Sequence, residues 1–125
     1  MIDYAAAGDL LAAYGLAWQT FDGDAWVALF TEDAEYHGDP FGAPMVGRNA
    51  LRAFLVDSAA TQRDVEFTVE RHWISGDTVL AAWHAAWIAR DDERLVRTAG
   101  FLTAEIAGDG RICRFREWAQ IAPVG

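Results

Sequence analysis

The sequence predicts an α+β fold in which helices come first and an antiparallel sheet follows. Before Gln62 the apolar residues recur with the 3.6-residue period of a helix, and after it they alternate with the period of a strand. Two Gly-Asp turn signals and one charged turn divide the second half into four strands. With 125 residues, the chain is expected to form a single domain, residues 1–125, with a substantial core.

The first half is predicted to hold three helices and one short strand. Residues 9–21 carry an apolar helical stripe, with Asp9 as the candidate N-cap. The DGD sequence at 22–24 ends this helix and caps a short second one. Residues 34–37 are expected to form a strand, and a Gly- and Pro-rich loop then leads to a third helix at 48–59. The helices would cover one face of the sheet.

The second half is predicted to be a four-stranded antiparallel meander. Its strands are expected at residues 64–75, 78–91, 95–108 and 111–122. The strand at 78–91 is apolar on both faces, whereas a strand with one solvated face alternates polar and apolar residues. We therefore expect its second face to be covered by another copy of the chain, in a homodimer packed sheet to sheet.

Composition and charge exclude several classes of partner. A net charge of −9 argues against nucleic acid and against anionic membrane surfaces, both of which select clustered Lys and Arg. No apolar run approaches the roughly 20 residues of a membrane span. Cys113 is the single cysteine and the N-terminus does not look like a signal peptide, so a cytoplasmic location is expected. Six Trp and seven Phe suggest an aromatic-walled cavity or a buried interface.

Four stretches resemble the nuclear transport factor 2-like superfamily, and in particular its SnoaL-like and ketosteroid-isomerase-like branch. They are LLAAYGLAWQTFDGDAWVALFTEDAEY, DPFG, VGRNALRAF and the closing FREWAQI. The resemblance covers essentially the whole chain. It implies a cone-shaped fold whose curved sheet and helices enclose a deep, largely apolar pocket. It also implies an apolar small-molecule ligand and chemistry without a metal or an organic cofactor; the fold itself hosts many activities.

Two residues correspond to catalytic groups of the ketosteroid isomerases. Tyr14, in AAYGLAW, matches the tyrosine that donates a hydrogen bond to the substrate carbonyl oxygen. Asp39, in DPFG, matches the general base. One extra residue before Asp39 leaves a second alignment open, in which Gly38 takes the base position and His37 enters the pocket. The second, protonated acid of those enzymes falls near Gly100, where this sequence has no carboxylate.

A histidine and several aromatic residues complete the candidate site. His84 lies between Ala82 and Ala86 along its strand, and these small residues leave room for a cavity; the alternative is a hydrogen-bonded core histidine. The H-x-D pair of His37 and Asp39 has no third ligand nearby, so no metal site is predicted. Five aromatic residues are candidates for ligand contact, of which two or three are expected to make it: Trp18, Phe54, Trp87, Phe101 and Trp118.

Three functional hypotheses are consistent with the sequence. The first is a cofactor-free enzyme that moves a proton on an apolar carbonyl compound, as in isomerisation or cyclisation, with Asp39 or His37 as base and Tyr14 as donor. The second is a non-catalytic ligand-binding or dimeric interaction protein on the same fold. The third is a dehydratase or hydrolase that depends on His84.

Overall fold

The computed structural model describes residues 2–123 and shows three helices packed on one face of a curved, six-stranded sheet. The helices are α1 Tyr4–Thr20, α2 Gly23–Val27 and α3 Arg48–Thr61. The strands are β1 Phe30–His37, β2 Met45–Val46, β3 Gln62–Ser75, β4 Thr78–Ala89, β5 Leu95–Ile106 and β6 Ile112–Ile121. The α+β prediction, with three helices and a mainly antiparallel sheet, is confirmed.

The strand order across the sheet is β2-β1-β6-β5-β4-β3. β3 to β6 form the predicted antiparallel meander. β1 begins at Phe30, four residues earlier than expected, and pairs in parallel with β6. This parallel pair had no signal in the sequence, because β1 and β6 are separated by most of the chain. It places the end of β1 beside the middle of β6.

Capping aspartates mark the starts of α1 and α2. α1 begins at Tyr4, and Asp3 Oδ1 accepts a hydrogen bond from the backbone N–H of Ala6 at 2.8 Å. Asp9 therefore lies inside α1, and its predicted capping role is wrong. Asp22 caps α2 as predicted, accepting from Ala25 N at 3.1 Å. The Arg48 guanidinium binds the carbonyl of Phe30 and so ties the start of α3 to the start of β1.

A bulge in β3 exchanges its faces halfway along the strand. Val69 pairs with Trp83, but Arg71 pairs with Ala82, so Glu70 is the extra residue. Strict alternation would have put Trp73 on the same face as Phe67. Instead Trp73 turns to the outer face of the sheet, away from the helices. His72 is half-buried against α1 and stacks on the Tyr4 ring, with the ring centroids 3.9 Å apart.

The core lies between the helices and the inner face of the sheet. The largest of its fully buried side chains are aromatic and aliphatic: Trp26, Tyr36, Phe30, Phe115, Leu51, Leu102, Ile112 and Val79. On β4 the odd-numbered residues from Val79 to Ala85 are buried on this inner face, whereas His84 is exposed on the outer one. None of the described helices is long and apolar enough to cross a membrane.

Candidate functional site

A hollow of about 250 Å³ opens between α1, α3 and the inner face of the sheet. Its volume is slightly below the usual range for small-molecule pockets, roughly 300–1,000 Å³. Most of the wall is aromatic or aliphatic, and a few polar groups face it. The lining residues are Tyr14, Trp18, Trp26, Tyr36, Phe54, Leu55, Ser58, Gln62, Trp83, Trp87, Thr98, Glu117, Ala119 and Ile121.

Three polar side chains form a hydrogen-bonded chain at the hollow's inner wall, each from a different element. The Tyr14 and Tyr36 hydroxyl oxygens are 3.0 Å apart, and Tyr36 donates to Glu117 Oε1 at 3.1 Å. Strand register explains why Glu117 points inward: it lies opposite Leu102 on β5, which is fully buried. Tyr36 likewise lies beside the buried Phe115 on β6. We call these three residues the Tyr-Tyr-Glu chain.

Stacked rings fix the position of the two hydroxyls. Phe115 packs between the tyrosines, with ring centroids 4.6 Å from Tyr36 and 5.2 Å from Tyr14. Trp26 contacts Tyr36 from α2, at 5.8 Å between centroids. Each tyrosine is nearly fully buried, so its hydroxyl has little freedom to move. The Tyr-Tyr-Glu chain is therefore preorganised by packing.

Burial strongly affects how the Tyr-Tyr-Glu chain ionises. Desolvation raises the pKa of Glu117 to about 7, and the hydrogen bond from Tyr36 opposes this rise. Glu117 retains some solvent exposure because it faces the hollow, but the surrounding rings keep its carboxyl poorly hydrated. Burial also raises the pKa of both tyrosines well above 10, and the Glu117 charge adds to this. Within the Tyr-Tyr-Glu chain, Glu117 is thus the group that exchanges protons near neutral pH.

The two oxygens of Glu117 have different surroundings. Oε1 accepts the hydrogen bond from Tyr36, whereas Oε2 has no hydrogen-bond partner among the described residues. An oxygen of this kind, on a carboxyl whose pKa lies near 7, can take a proton from a bound molecule or return one. The arrangement can therefore perform general acid–base chemistry on a ligand held in the hollow.

Four of the nine predicted site residues line the hollow. Tyr14 belongs to the Tyr-Tyr-Glu chain. Trp18 and Trp87 face each other with ring centroids 5.9 Å apart, and Phe54 contacts the Tyr36 ring at 5.4 Å. The sequence thus identified part of the aromatic wall. Whether these residues bind a ligand remains a prediction.

Asp39 does not line the hollow and is not brought together with Tyr14. It lies in the turn after β1, exposed, and its Oδ1 accepts a hydrogen bond from the backbone N–H of Phe41 at 2.9 Å. By alternation the inward position after Tyr36 is Gly38, as in the second alignment. A Cβ atom on Gly38 would lie 3.7 Å from Glu117 Oε1. The carboxyl beside the end of β1 therefore comes from β6.

Neither candidate histidine faces the hollow. His37 shares the outer face of β1 with Glu35, whose Oε1 lies 3.3 Å from its Nε2. His84 is exposed on the outer face of β4 and contacts Glu70 Oε1 through Nδ1 at 3.1 Å. The expectation that His84 points into a cavity failed because its even-numbered neighbours face away from the helices. The alternative of a core histidine does not describe it either.

The last two predicted ligand contacts also lie on the outer face. Phe101 and Trp118 are cross-strand neighbours on β5 and β6, and Trp118 is 42% exposed. Between them and the hollow lies the backbone of the sheet, so they are not brought together with Tyr14. The place near Gly100, where no acid was found in the sequence, is filled by the Trp83 ring: a Cβ on Gly100 would lie 2.7 Å from it.

Glu117 and Tyr36 were not identified as site residues from the sequence, nor were the other polar residues of the lining, which are Ser58, Gln62 and Thr98. A signal was present in the last strand, where Phe115, Glu117 and Ala119 share one face. When an acidic residue lies between two apolar residues on the face of a strand that packs against the core, its carboxyl group points inward. Among residues 2–123, no three His, Cys, Asp or Glu side chains cluster closely enough to hold a metal ion.

Comparisons with known proteins agree with this architecture. The SalBIII structure, of an epoxide hydrolase/cyclase-like enzyme in pyran ring formation in the polyether salinomycin, superposes with a TM-score of 0.84 at 20% identity, covering 96% of this chain and 95% of that one. A candidate isomerase from Bacillus subtilis gives 0.83 at 21% identity, covering 96% and 90%. A Mycobacterium tuberculosis protein in complex with estradiol-17β-hemisuccinate gives 0.77 at 20% identity, covering 90% and 92%.

These structural likenesses are below 25% identity and therefore establish the fold alone. No curated protein shows significant similarity to the chain. The model of the SnoaL-like domain family matches residues 11–115, which include all three helices except the start of α1, and every strand up to the middle of β6. The chain therefore belongs to the SnoaL-like domain family.

Proposed function

We propose that the protein is a cofactor-free enzyme that moves a proton on a compact, apolar, carbonyl-containing molecule bound in the hollow. The observation that carries the proposal is the Tyr-Tyr-Glu chain at the wall of an aromatic cavity, with the pKa of Glu117 near 7. A catalytic base is most effective when its pKa is close to the working pH. Glu117 fills the role that the sequence had suggested for Asp39 or His37.

The geometry links the protonation state of Glu117 to the hydrogen bond that Tyr14 can donate to a ligand. Each hydroxyl carries one hydrogen. While Glu117 is ionised, Tyr36 donates to it and Tyr14 donates to Tyr36, so neither O–H faces a ligand. Once Glu117 has taken a proton on Oε2, its Oε1 no longer carries the charge that holds the Tyr36 hydrogen, so Tyr36 can donate to Tyr14 and Tyr14 becomes free to donate into the hollow. Proton removal from carbon would thereby coincide with stabilisation of the enolate oxygen.

The hollow favours a ligand of one or two fused rings. Its volume of about 250 Å³ is modest, and its wall is largely aromatic. The Mycobacterium tuberculosis neighbour holds a steroid derivative, which supports an apolar ligand for this fold. We propose a compact ligand for this chain because Trp83 and Trp87 occupy part of the space between β4 and the helices.

The test measures hydrogen–deuterium exchange at the α carbons of 2-tetralone by NMR in D₂O. This ketone has two fused rings and acidic C–H bonds beside its carbonyl. We expect the wild-type protein to accelerate the exchange above the buffer rate. Tyr14→Phe should slow the catalysed exchange by about 100- to 1,000-fold, the usual cost of losing an oxyanion donor. Absence of any acceleration between pH 5 and pH 9 would overturn the enzymatic proposal.

A non-catalytic binding protein is the second candidate. The observation that favours it is the Trp83 ring beside Gly100, which leaves the hollow without a second acid on β5. If the protein only binds its ligand, 2-tetralone or 2-naphthol should bind while hydrogen–deuterium exchange at the α carbons of 2-tetralone stays at the buffer rate. Binding measured by intrinsic tryptophan fluorescence, alongside the exchange assay, separates the two candidates. The histidine-dependent alternative has no support in the hollow, since His84 lies on the outer face.

We also propose that the protein forms a homodimer through the outer face of its sheet and acts in the cytoplasm. Three aromatic side chains from three strands lie together there: the Trp73 and Phe101 rings are 6.1 Å apart, and Phe101 neighbours Trp118. Trp73 is 36% exposed in the single chain. Such a patch is a frequent interaction surface. Light scattering should give twice the mass of one chain. A monomer at micromolar concentration would overturn the proposed homodimer.

A further inference from the structure

Gln62 lines the hollow at the C-terminal end of α3, and its backbone is held firmly. It caps the end of α3, where its N–H donates to the carbonyl of Ser58, and it also begins β3. Its own carbonyl accepts a hydrogen bond from Arg90 Nε at 3.0 Å. These contacts fix the point from which the Gln62 side chain enters the lining of the hollow.

The orientation of the Gln62 carboxamide follows from its neighbour. Trp18 Nε1 lies 3.0 Å from Gln62 Oε1. An indole nitrogen only donates, so the atom that it faces must be the amide oxygen. The amide nitrogen then points elsewhere, with two N–H donors and no hydrogen-bond partner among the described residues. This nitrogen is not among the fully enclosed side-chain atoms, and it belongs to a residue that lines the hollow.

Two other hydroxyls of the lining already donate to the backbone. Ser58 Oγ donates to the Phe54 carbonyl at 3.0 Å, and Thr98 Oγ1 donates to the Gln120 carbonyl at 2.9 Å. Each hydroxyl has a single hydrogen. Among the described residues, the Gln62 amide therefore offers two unpaired N–H donors to the hollow, whose lining also includes the unpaired indole N–H of Trp83.

The lining of the hollow therefore has two polar regions on different elements, the Tyr-Tyr-Glu chain and the Gln62 amide. Phe54, which contacts the Tyr36 ring, and Gln62 are eight residues apart along α3, a rise of about 12 Å. The rings of Trp18 and Trp87 lie near Gln62. A ligand that spans the hollow would meet the Tyr-Tyr-Glu chain with one end and the Gln62 amide with the other.

We propose that Gln62 is a specificity-determining residue that recognises a hydrogen-bond-accepting oxygen at the far end of the ligand. The inference rests on the proposed function, since it takes the other end of the ligand to lie at the Tyr-Tyr-Glu chain. It narrows the ligand class to compact two-ring molecules with an enolic, phenolic or ketonic oxygen at one end. The other end carries a second oxygen, as a carbonyl or an ether.

A matched pair of ligands tests this proposal. In 6-acetyl-2-naphthol and 6-isopropyl-2-naphthol the phenol end is the same, whereas the far end is either a carbonyl or a hydrocarbon of similar shape. Dissociation constants are measured by fluorescence titration for the wild-type protein and for Gln62→Met and Gln62→Glu. The quantity compared is the affinity ratio of the acetyl to the isopropyl compound, which cancels general changes in the hollow.

We expect Gln62→Met to shift this ratio about three- to tenfold towards the isopropyl compound, the effect of one neutral hydrogen bond. Gln62→Glu should shift it further in the same direction, because a carboxylate repels a carbonyl oxygen while still accepting from Trp18. Thr61→Ala, a change at the exposed preceding residue, should leave the ratio unchanged. Unaltered binding of the isopropyl compound in a variant shows that the hollow is intact.

Two outcomes would overturn the proposal and are distinguishable. An affinity ratio that is the same in the wild type and both Gln62 variants removes Gln62 from ligand recognition. The proposed function survives in that case, since the phenol end is still bound. Failure of the wild-type protein to bind either naphthol overturns this inference together with the ligand class on which it rests.

Discussion

Asp39 and Glu117 are two carboxylates from neighbouring parts of the sheet, and they differ in almost everything that governs chemistry. Asp39 belongs to an exposed Gly-Asp-Pro turn and accepts a backbone hydrogen bond. Glu117 points from the middle of a strand into an aromatic hollow, and burial raises its pKa to about 7. The face of the element on which an acid lies, more than the motif around it, therefore decides whether the acid becomes reactive.

The largest expected contrast between the two acids is in catalysis. Glu117→Gln should reduce the catalysed exchange of 2-tetralone by about 100- to 10,000-fold, because the amide cannot act as a base. Asp39→Asn should leave the exchange rate at the wild-type value, because Asp39 does not line the hollow. Both variants are measured by the same NMR assay. A loss of activity in Asp39→Asn, with Glu117→Gln unaffected, would reverse the assignment.

The next contrast is in the pH dependence of stability. The pKa of Glu117 is raised from 4.5 to about 7 by folding, so between these pH values the folded state binds the extra proton. The free energy of unfolding therefore falls as pH rises through this window. A shift of this size corresponds to about 3 kcal/mol.

Glu117→Gln should remove this dependence. The variant is expected to be more stable than the wild type by up to about 3 kcal/mol at pH 8, and similar to it at pH 4. Urea denaturation at pH 4, 6 and 8 measures the difference. Asp39→Asn is the control, and it should follow the wild-type curve. A wild-type stability that is constant from pH 4.5 to 7 would contradict the burial of the Glu117 carboxyl.

Replacing Tyr36 is expected to have a smaller effect on catalysis. It distinguishes the role of Tyr36 in the Tyr-Tyr-Glu chain from that of Tyr14. The hydrogen bond from Tyr36 lowers the pKa of Glu117. Tyr36→Phe should therefore move the rising limb of the pH–rate profile for 2-tetralone exchange to higher pH. Tyr14→Phe is the matched control, since Tyr14 makes no direct contact with Glu117 and its loss should lower the rate without moving the limb. Equal displacement in both variants would argue against a direct Tyr36–Glu117 bond.

The smallest expected effect is at the turn itself. Asp39→Ala removes the side-chain acceptor of the Phe41 N–H and should cost about 1 kcal/mol or less of stability at every pH. Asp39→Asn keeps an oxygen in the same place and should cost nothing measurable. Thermal denaturation of the two variants provides the comparison. A cost that varies between pH 4 and pH 8 would show that the Asp39 charge matters after all.

The faces of the sheet explain why some site residues were predictable and others were not. Trp18 and Phe54 lie on helical stripes, whose inward face can be recognised from apolar spacing. On β4, apolar residues occupy both faces, so the pattern gave no orientation and the small neighbours of His84 suggested the wrong one. On β3, the bulge at Glu70 reverses the faces, and no local residue signals it.

The sequence alone determined the three helices, the first strand and the four-stranded meander, because helical and strand periodicities are local properties of the chain; it did not indicate the two-residue strand β2. The family and the candidate hydroxyl of Tyr14 followed from the resemblance of four stretches. Only the tertiary structure decided which acid meets that hydroxyl. β1 and β6 pair in parallel across most of the chain length, and this pairing sets Tyr36 beside Glu117. A contact between residues 81 positions apart depends on long-range register and packing, which no local pattern encodes.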